Sequence, residues 1–158
     1  SSLYPQSMEC LGQEYGYILY RSQIKQETKL EKLRLWESND RANLFINEKP
    51  VLTLYDRELL EEKELDIELE EASSFDILVE NMGRVNFGAK LEYQRKGIDG
   101  GVQVNGHYHY DWSIYSLPLD NLEKLDFLAG YQQGTPSFYR FEFQVDEIGD
   151  TFLDFTGR

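Results

Sequence analysis

With 158 residues and a formal net charge of −13, the chain has room for one domain, or one domain plus part of another. Its acidity argues against a nucleic-acid partner, whose phosphates need clustered Lys and Arg. No apolar run approaches the ~18 residues of a membrane helix, and the single Cys10 excludes an internal disulfide and a cysteine-based zinc site.

Hydrophobic residues at 41% suffice for a packed core, and aromatics at 14% favour strands over helices. Tyr17 to Ile24 reads as a strand. Leu33-Arg34-Leu35-Trp36 alternates and is expected to be half buried, with Trp36 in the core. Asn43 to Ile46 and Val51 to Tyr55, joined through Asn47-Glu48, read as a hairpin. Leu65-Asp66-Ile67-Glu68-Leu69 alternates apolar with acidic, which turns Leu65, Ile67 and Leu69 inward. The acid run from Glu58 to Glu71 is therefore a solvated face.

Phe75 to Glu80 is a further strand, and it runs into the most distinctive stretch of the chain, Val79 to Gly88. Two glycines, two asparagines, Arg84 and Phe87 follow one another there. Glycine supplies positive φ and asparagine bonds back to its own backbone, so the loop reads as a structural corner, a ligand site or a docking surface.

Beyond it, Asn105-Gly106 joins Val102-Gln103-Val104 to His107-Tyr108-His109-Tyr110, a strong hairpin signal. Asp111 to Tyr115 extends that strand. About eight strands thus fall at short spacing, the pattern of a β-sandwich or jelly roll with little helix. Asn121 to Leu125 suits a helical turn or two. Ser116 to Ser137 lacks strand periodicity and reads as a long connection, after which Phe138 to Val145 and Thr151 to Phe155 read as strands. Those last strands are too few to bury a sheet face alone. They are expected to dock on the first sandwich or to pair with another copy.

Candidate chemistry is sparse. His107 and His109 share one strand face without an evident third ligand, so no metal is expected. Cys10 reads as a buried or incidental thiol, and Trp112 as core. Arg84, Asn86, Phe87, Tyr93 and Arg95 gather the aromatic and hydrogen-bonding types that a sugar site needs. The competing reading has Arg84 and Asn86 bracing the loop while Phe87 packs in the core or against a neighbouring domain.

Several segments in order carry a resemblance. They are Tyr4 to Glu9, Leu11-Gly12-Gln13, Tyr15-Gly16-Tyr17, Leu19-Tyr20-Arg21, Asp40-Arg41-Ala42, Leu78 to Gly88 and Gln94 to Ile98. Trp112, Tyr115, Leu117-Pro118-Leu119, Pro136 to Tyr139 and Asp150 to Asp154 continue the series. Together they resemble the region that follows the catalytic barrel in glycoside hydrolase family 35 β-galactosidases.

The resemblance implies an all-β, galactose-binding-like sandwich, a long linker and the first strands of a second, truncated sandwich. Residues 1–16 would then follow the barrel, 17–116 form the first sandwich, 117–137 the linker and 138–158 the opening of the second. It further implies a parent enzyme that hydrolyses terminal β-D-galactosyl bonds with retention, through two glutamates this chain lacks. Glu80-Asn81 echoes the family's acid/base pair, but Met82-Gly83-Arg84 departs from that motif, so no catalytic residue is assigned. No cofactor is implied. The expected partners are the barrel of the same parent chain and galactosides, with self-association through the last strands. The Ser1-Ser2 start reads as an internal cut, so the lack of a visible signal peptide says little about the parent; the location is left open between cytoplasm and bacterial cell surface, the cytoplasm slightly favoured.

Overall fold

The computed structural model describes residues 1–154 and Thr156. Nine strands are found among them: β1 (Tyr17–Ile24), β2 (Lys29–Asn39), β3 (Arg41–Ile46), β4 (Lys49–Tyr55), β5 (Lys63–Glu68), β6 (Ser73–Glu80), β7 (Gly97–Val104), β8 (His107–Tyr108) and β9 (Ser113–Leu117). They form a five-stranded sheet in the order β4-β3-β6-β1-β9 and a four-stranded sheet in the order β5-β2-β7-β8. All pairings are antiparallel. The fold is an all-β sandwich, and its helical content is limited to short 3₁₀ turns, including one at Leu122–Lys124.

Strand alternation explains the core. Ile18, Tyr20 and Ile24 of β1, Phe75, Ile77 and Val79 of β6, and Ala42, Leu44 and Ile46 of β3 face Leu30, Leu33 and Leu35 of β2 and Ile98, Val102 and Val104 of β7. Leu65, Ile67 and Leu69 pack against this cluster from the edge, as their period-two pattern requires. Asn47 and Glu48 both take positive φ (50° and 64°), and so do Asn105 and Gly106 (50° and 83°). Both hairpins thereby gain a turn whose twist matches their strands.

Four expectations need correction. Asp111 to Tyr115 does not extend the strand before it. β8 stops at Tyr108, and residues 109–112 cross to the other sheet, where β9 pairs with β1. Ser22 in β1 stands within reach of the Tyr110 and Asp111 carbonyls (3.2 and 3.0 Å), and Asp111 takes φ 65°, which turns the chain out of β8.

Trp36 is not core. Alternation itself decides this: Leu33 and Leu35 take the core face, so Arg34 and Trp36 take the outer one, where the indole is half-buried. Arg34 stacks on it at 3.8 Å and Gln103 accepts its N–H at 3.0 Å. Trp112 is buried as expected. Cys10 is exposed in its 3₁₀ turn, which removes the buried alternative and leaves the incidental one.

Residues 138–145 and 151–154 join neither sheet, and Phe155 lies outside the described residues. A strand exists only with a hydrogen-bonded partner, and alternation by itself supplies none. Two contacts mark the course of this part of the chain. Gly134 lies close to Pro50 of β4, and the Phe138 ring meets Tyr17 of β1 edge-on at 6.5 Å.

Candidate functional site

At the end of the sandwich where β1 and β7 begin and β6 ends, three segments distant in sequence are tied into one polar corner. Lys96, with its side chain 1% exposed, places its ammonium 2.7 and 2.8 Å from the two Asp40 oxygens. The Asp40 carboxylate also accepts the Met82 amide at 2.7 Å. Glu9 accepts the Lys96 backbone N–H at 3.2 and 3.1 Å through its two oxygens, and it pairs with Arg84. Partial burial works to raise the Glu9 pKa, but the Arg84 guanidinium and the surrounding N–H donors outweigh it and hold the carboxyl below its usual range.

Backbone bonds complete the corner. Met8 donates to the Lys96 carbonyl at 2.8 Å and Asn81 to the Gly16 carbonyl at 3.0 Å. The Asn81 side chain donates to Glu14 O at 2.9 Å and accepts the Gly83 amide at 3.0 Å, the local Asx bond its sequence suggested. The Tyr20 hydroxyl donates to Gln6 O at 2.7 Å and accepts the Ile98 amide at 2.9 Å. Burial pushes that phenol's pKa well up, so it stays a neutral donor.

The five residues predicted from sequence separate into three groups. Arg84 turns inward and braces the corner, donating to Glu14 O from Nε at 3.3 Å and Nη2 at 3.1 Å as well as pairing with Glu9. Asn86 and Phe87 stand out in solvent, and at 91% exposure Phe87 is not a core residue of this domain. Exposed Met82, Val85 and Leu91 share that loop. Tyr93 and Arg95 come together and line a shallow cleft with Glu37, Asn39, Glu92 and Asp99. The Asn39 amide fixes the loop there by donating to the Arg95 carbonyl at 2.9 Å, and Lys90 approaches the Tyr93 ring at 5.4 Å.

Sequence reasoning missed Glu9, Asp40 and Lys96 as one cluster, although all three fall in the segments that carried the resemblance. Charged residues in strand-flanking loops give no periodic signal, so nothing local pairs them. Glu80 is bound to Arg41 across neighbouring strands at 3.2 Å. His107 and His109 do not share a face, because β8 ends between them: His107 is exposed, while the His109 ring meets Phe75 and Trp112 at 5.8 and 5.2 Å. Among the described residues no group of three or more His, Cys, Asp or Glu side chains is placed to hold a metal ion.

Comparison with known proteins matches residues 5–118 to the family model described as the first all-beta domain of beta-galactosidase. A beta-galactosidase of Xanthomonas manihotis is 32% identical over 151 residues, which cover 95% of this chain and 25% of that protein. Beta-galactosidase 1 of Dictyostelium discoideum is 33% identical over 175 residues, covering 97% of this chain and 26% of its own. A human beta-galactosidase is 27% identical over 181 residues, covering 99% and 26%. The chain spans about a quarter of the length of these relatives.

Proposed function

The chain belongs to the beta-galactosidase first all-beta domain family, and from that premise we propose that it is a non-catalytic scaffold within an enzyme hydrolysing terminal β-D-galactosyl residues. The sandwich holds the Met82–Tyr93 loop against the catalytic barrel of the same polypeptide. The observation that carries this reading is the contrast within one loop. Its base is pinned by Asp40, Glu9 and Asn81, while Met82, Val85, Phe87 and Leu91 present apolar side chains to solvent. Rigid anchoring of an apolar arm suits docking between domains.

Two measurements test it. The chain alone is expected to show no turnover of a chromogenic β-galactoside; turnover abolished by Glu80→Gln would overturn the assignment. In the whole galactosidase polypeptide, Phe87→Ser is expected to lower the melting temperature, yet leave the melting of the isolated chain unchanged. An unchanged melting temperature in the whole polypeptide removes the docking role.

A second reading, a galactoside-binding module, is supported by the cleft of Tyr93, Arg95, Asn39 and Asp99, which combines an exposed ring with donors and acceptors. Amide shifts at 91–99 on adding galactose test this reading.

A further inference from the structure

The opposite end of the sandwich, where β1 and β7 finish, carries a second cleft that the scaffold reading does not use. It lies between the Arg21–Glu27 segment and the crossover from His107 to Ser113. Its volume is about 630 Å³, inside the ~300–1,000 Å³ range of small-ligand sites. We propose that this cleft is a second carbohydrate site of the domain, taking a neutral galactose-containing mono- or oligosaccharide.

The argument begins with charge. The protein as a whole carries −13, but this cleft is lined by two cations, Arg21 and Lys25, and two anions, Glu27 and Asp111. The lining is thus locally balanced, which favours a neutral ligand with many hydroxyls over a charged one. His107 and Ser113 add further hydrogen-bonding groups to the lining.

The polar groups are also held in advance. Asp76, 5% exposed, grips Arg21 with two bonds of 2.8 and 2.7 Å, fixing a guanidinium whose side chain remains 47% exposed. Among the described residues its remaining N–H groups meet no acceptor, and they can donate to hydroxyl oxygens in a set geometry. Ser22 Oγ lies 2.9 Å from His109 Nε2 and 3.0 Å from the Asp111 carbonyl, which sets the floor of the crossover. A site built this way loses little side-chain entropy when a ligand binds.

Two aromatic rings complete it. Tyr110 is 41% exposed and is steadied edge-on by Tyr4 at 5.3 Å. Tyr108 is 45% exposed and lies over Gly101, where a Cβ would come within 3.1 Å of the ring. The glycine at φ 113° makes room for that ring. Rings kept partly bare beside fixed polar groups match the two sides of a pyranose, one apolar and one hydroxylated.

The choice of galactose rests on reading the chain as part of a galactosidase; the cleft's geometry does not. The test is a titration of the labelled chain with galactose and with a β-linked galactotriose, followed by amide shifts. Saturable shifts at 21–27 and 107–113 in the millimolar range are the expected result. Lys25→Ala and His107→Ala, both exposed positions, should each weaken binding about fivefold, the loss of one net hydrogen bond. Arg57→Ala, at an exposed position that lines neither cleft, should change nothing. Absence of saturable shifts at 21–27 and 107–113, or an affinity unchanged from the parent chain in both cleft variants, overturns the proposal. If the whole enzyme still cleaves galactosides in that case, only this inference fails and the galactosidase reading stands.

Discussion

Lys96→Met cuts the polar corner at its most buried point. Methionine keeps the length and most of the packing of the lysine stem, so the change isolates the ammonium. In the folded chain Asp40 then keeps the Met82 amide as a donor but loses both contacts from Nζ. Removing one partner of a buried ion pair costs roughly 3–5 kcal/mol, because the other charge stays desolvated. The Asp40 side chain is 20% exposed, which lets some water reach the orphaned carboxylate and places the cost near the lower end, about 3 kcal/mol. Total stability for a domain is about 5–15 kcal/mol, so the variant should fold but unfold at visibly lower urea concentration with an unchanged m-value.

A double-mutant cycle with Asp40→Asn sharpens the test. If the pair acts as a unit, the double variant costs clearly less than the sum of the singles, with a coupling of about 2 kcal/mol or more. Amide exchange at Met82 should accelerate in Asp40→Asn. A loss under about 1 kcal/mol for Lys96→Met, or additive singles, would refute the reasoning: the pair would then behave like an exposed one.

Other outcomes follow from the same structure. Gly97 takes φ 84°, and a Cβ there would press on the Tyr20 hydroxyl; Gly97→Ala should cost about 1–3 kcal/mol by overpacking, and a thermal melt equal to the parent's would count against it. Burial holds the His109 pKa below 6.5, against the opposing pull of Asp111. As pH falls through the unfolded value, the unfolded chain takes up a proton that the folded one refuses, so stability is fully present above about pH 6.5 and drops from there down to the folded pKa. Urea unfolding from about pH 7.5 to 5.5 should show this slope, and His109→Gln should flatten it; a slope equal in both chains, or of opposite sign, removes His109 as its source.

Much of this molecule is legible in its alternation. Tyr17 to Ile24, Leu65 to Leu69 and Phe75 to Glu80 expose their strands because one face of each must be buried, and Asn47-Glu48 and Asn105-Gly106 mark turns through their tolerance of positive φ. The same logic misleads at Phe138 to Val145, where alternation is strong and no partner strand receives it. At Trp36 alternation is the better guide: Leu33 and Leu35 claim the inner face, and the size of the indole does not make it core. Arg84 was legible as a bracing residue, whereas Tyr93 and Arg95 meet Glu37, Asn39 and Asp99 only through a register shift and a loop path.

Sequence by itself determined the fold class, the core faces and the family, since each depends on residue type repeated at short range or on ordered segments. Tertiary structure decided which charges meet. Glu9, Asp40 and Lys96 stand far apart along the chain and carry no local signal of one another, and the crossover at Ser22, His109 and Asp111 depends on a hydroxyl from a different strand. Burial makes such pairs strong, and burial is a property of the packed sandwich rather than of any single segment.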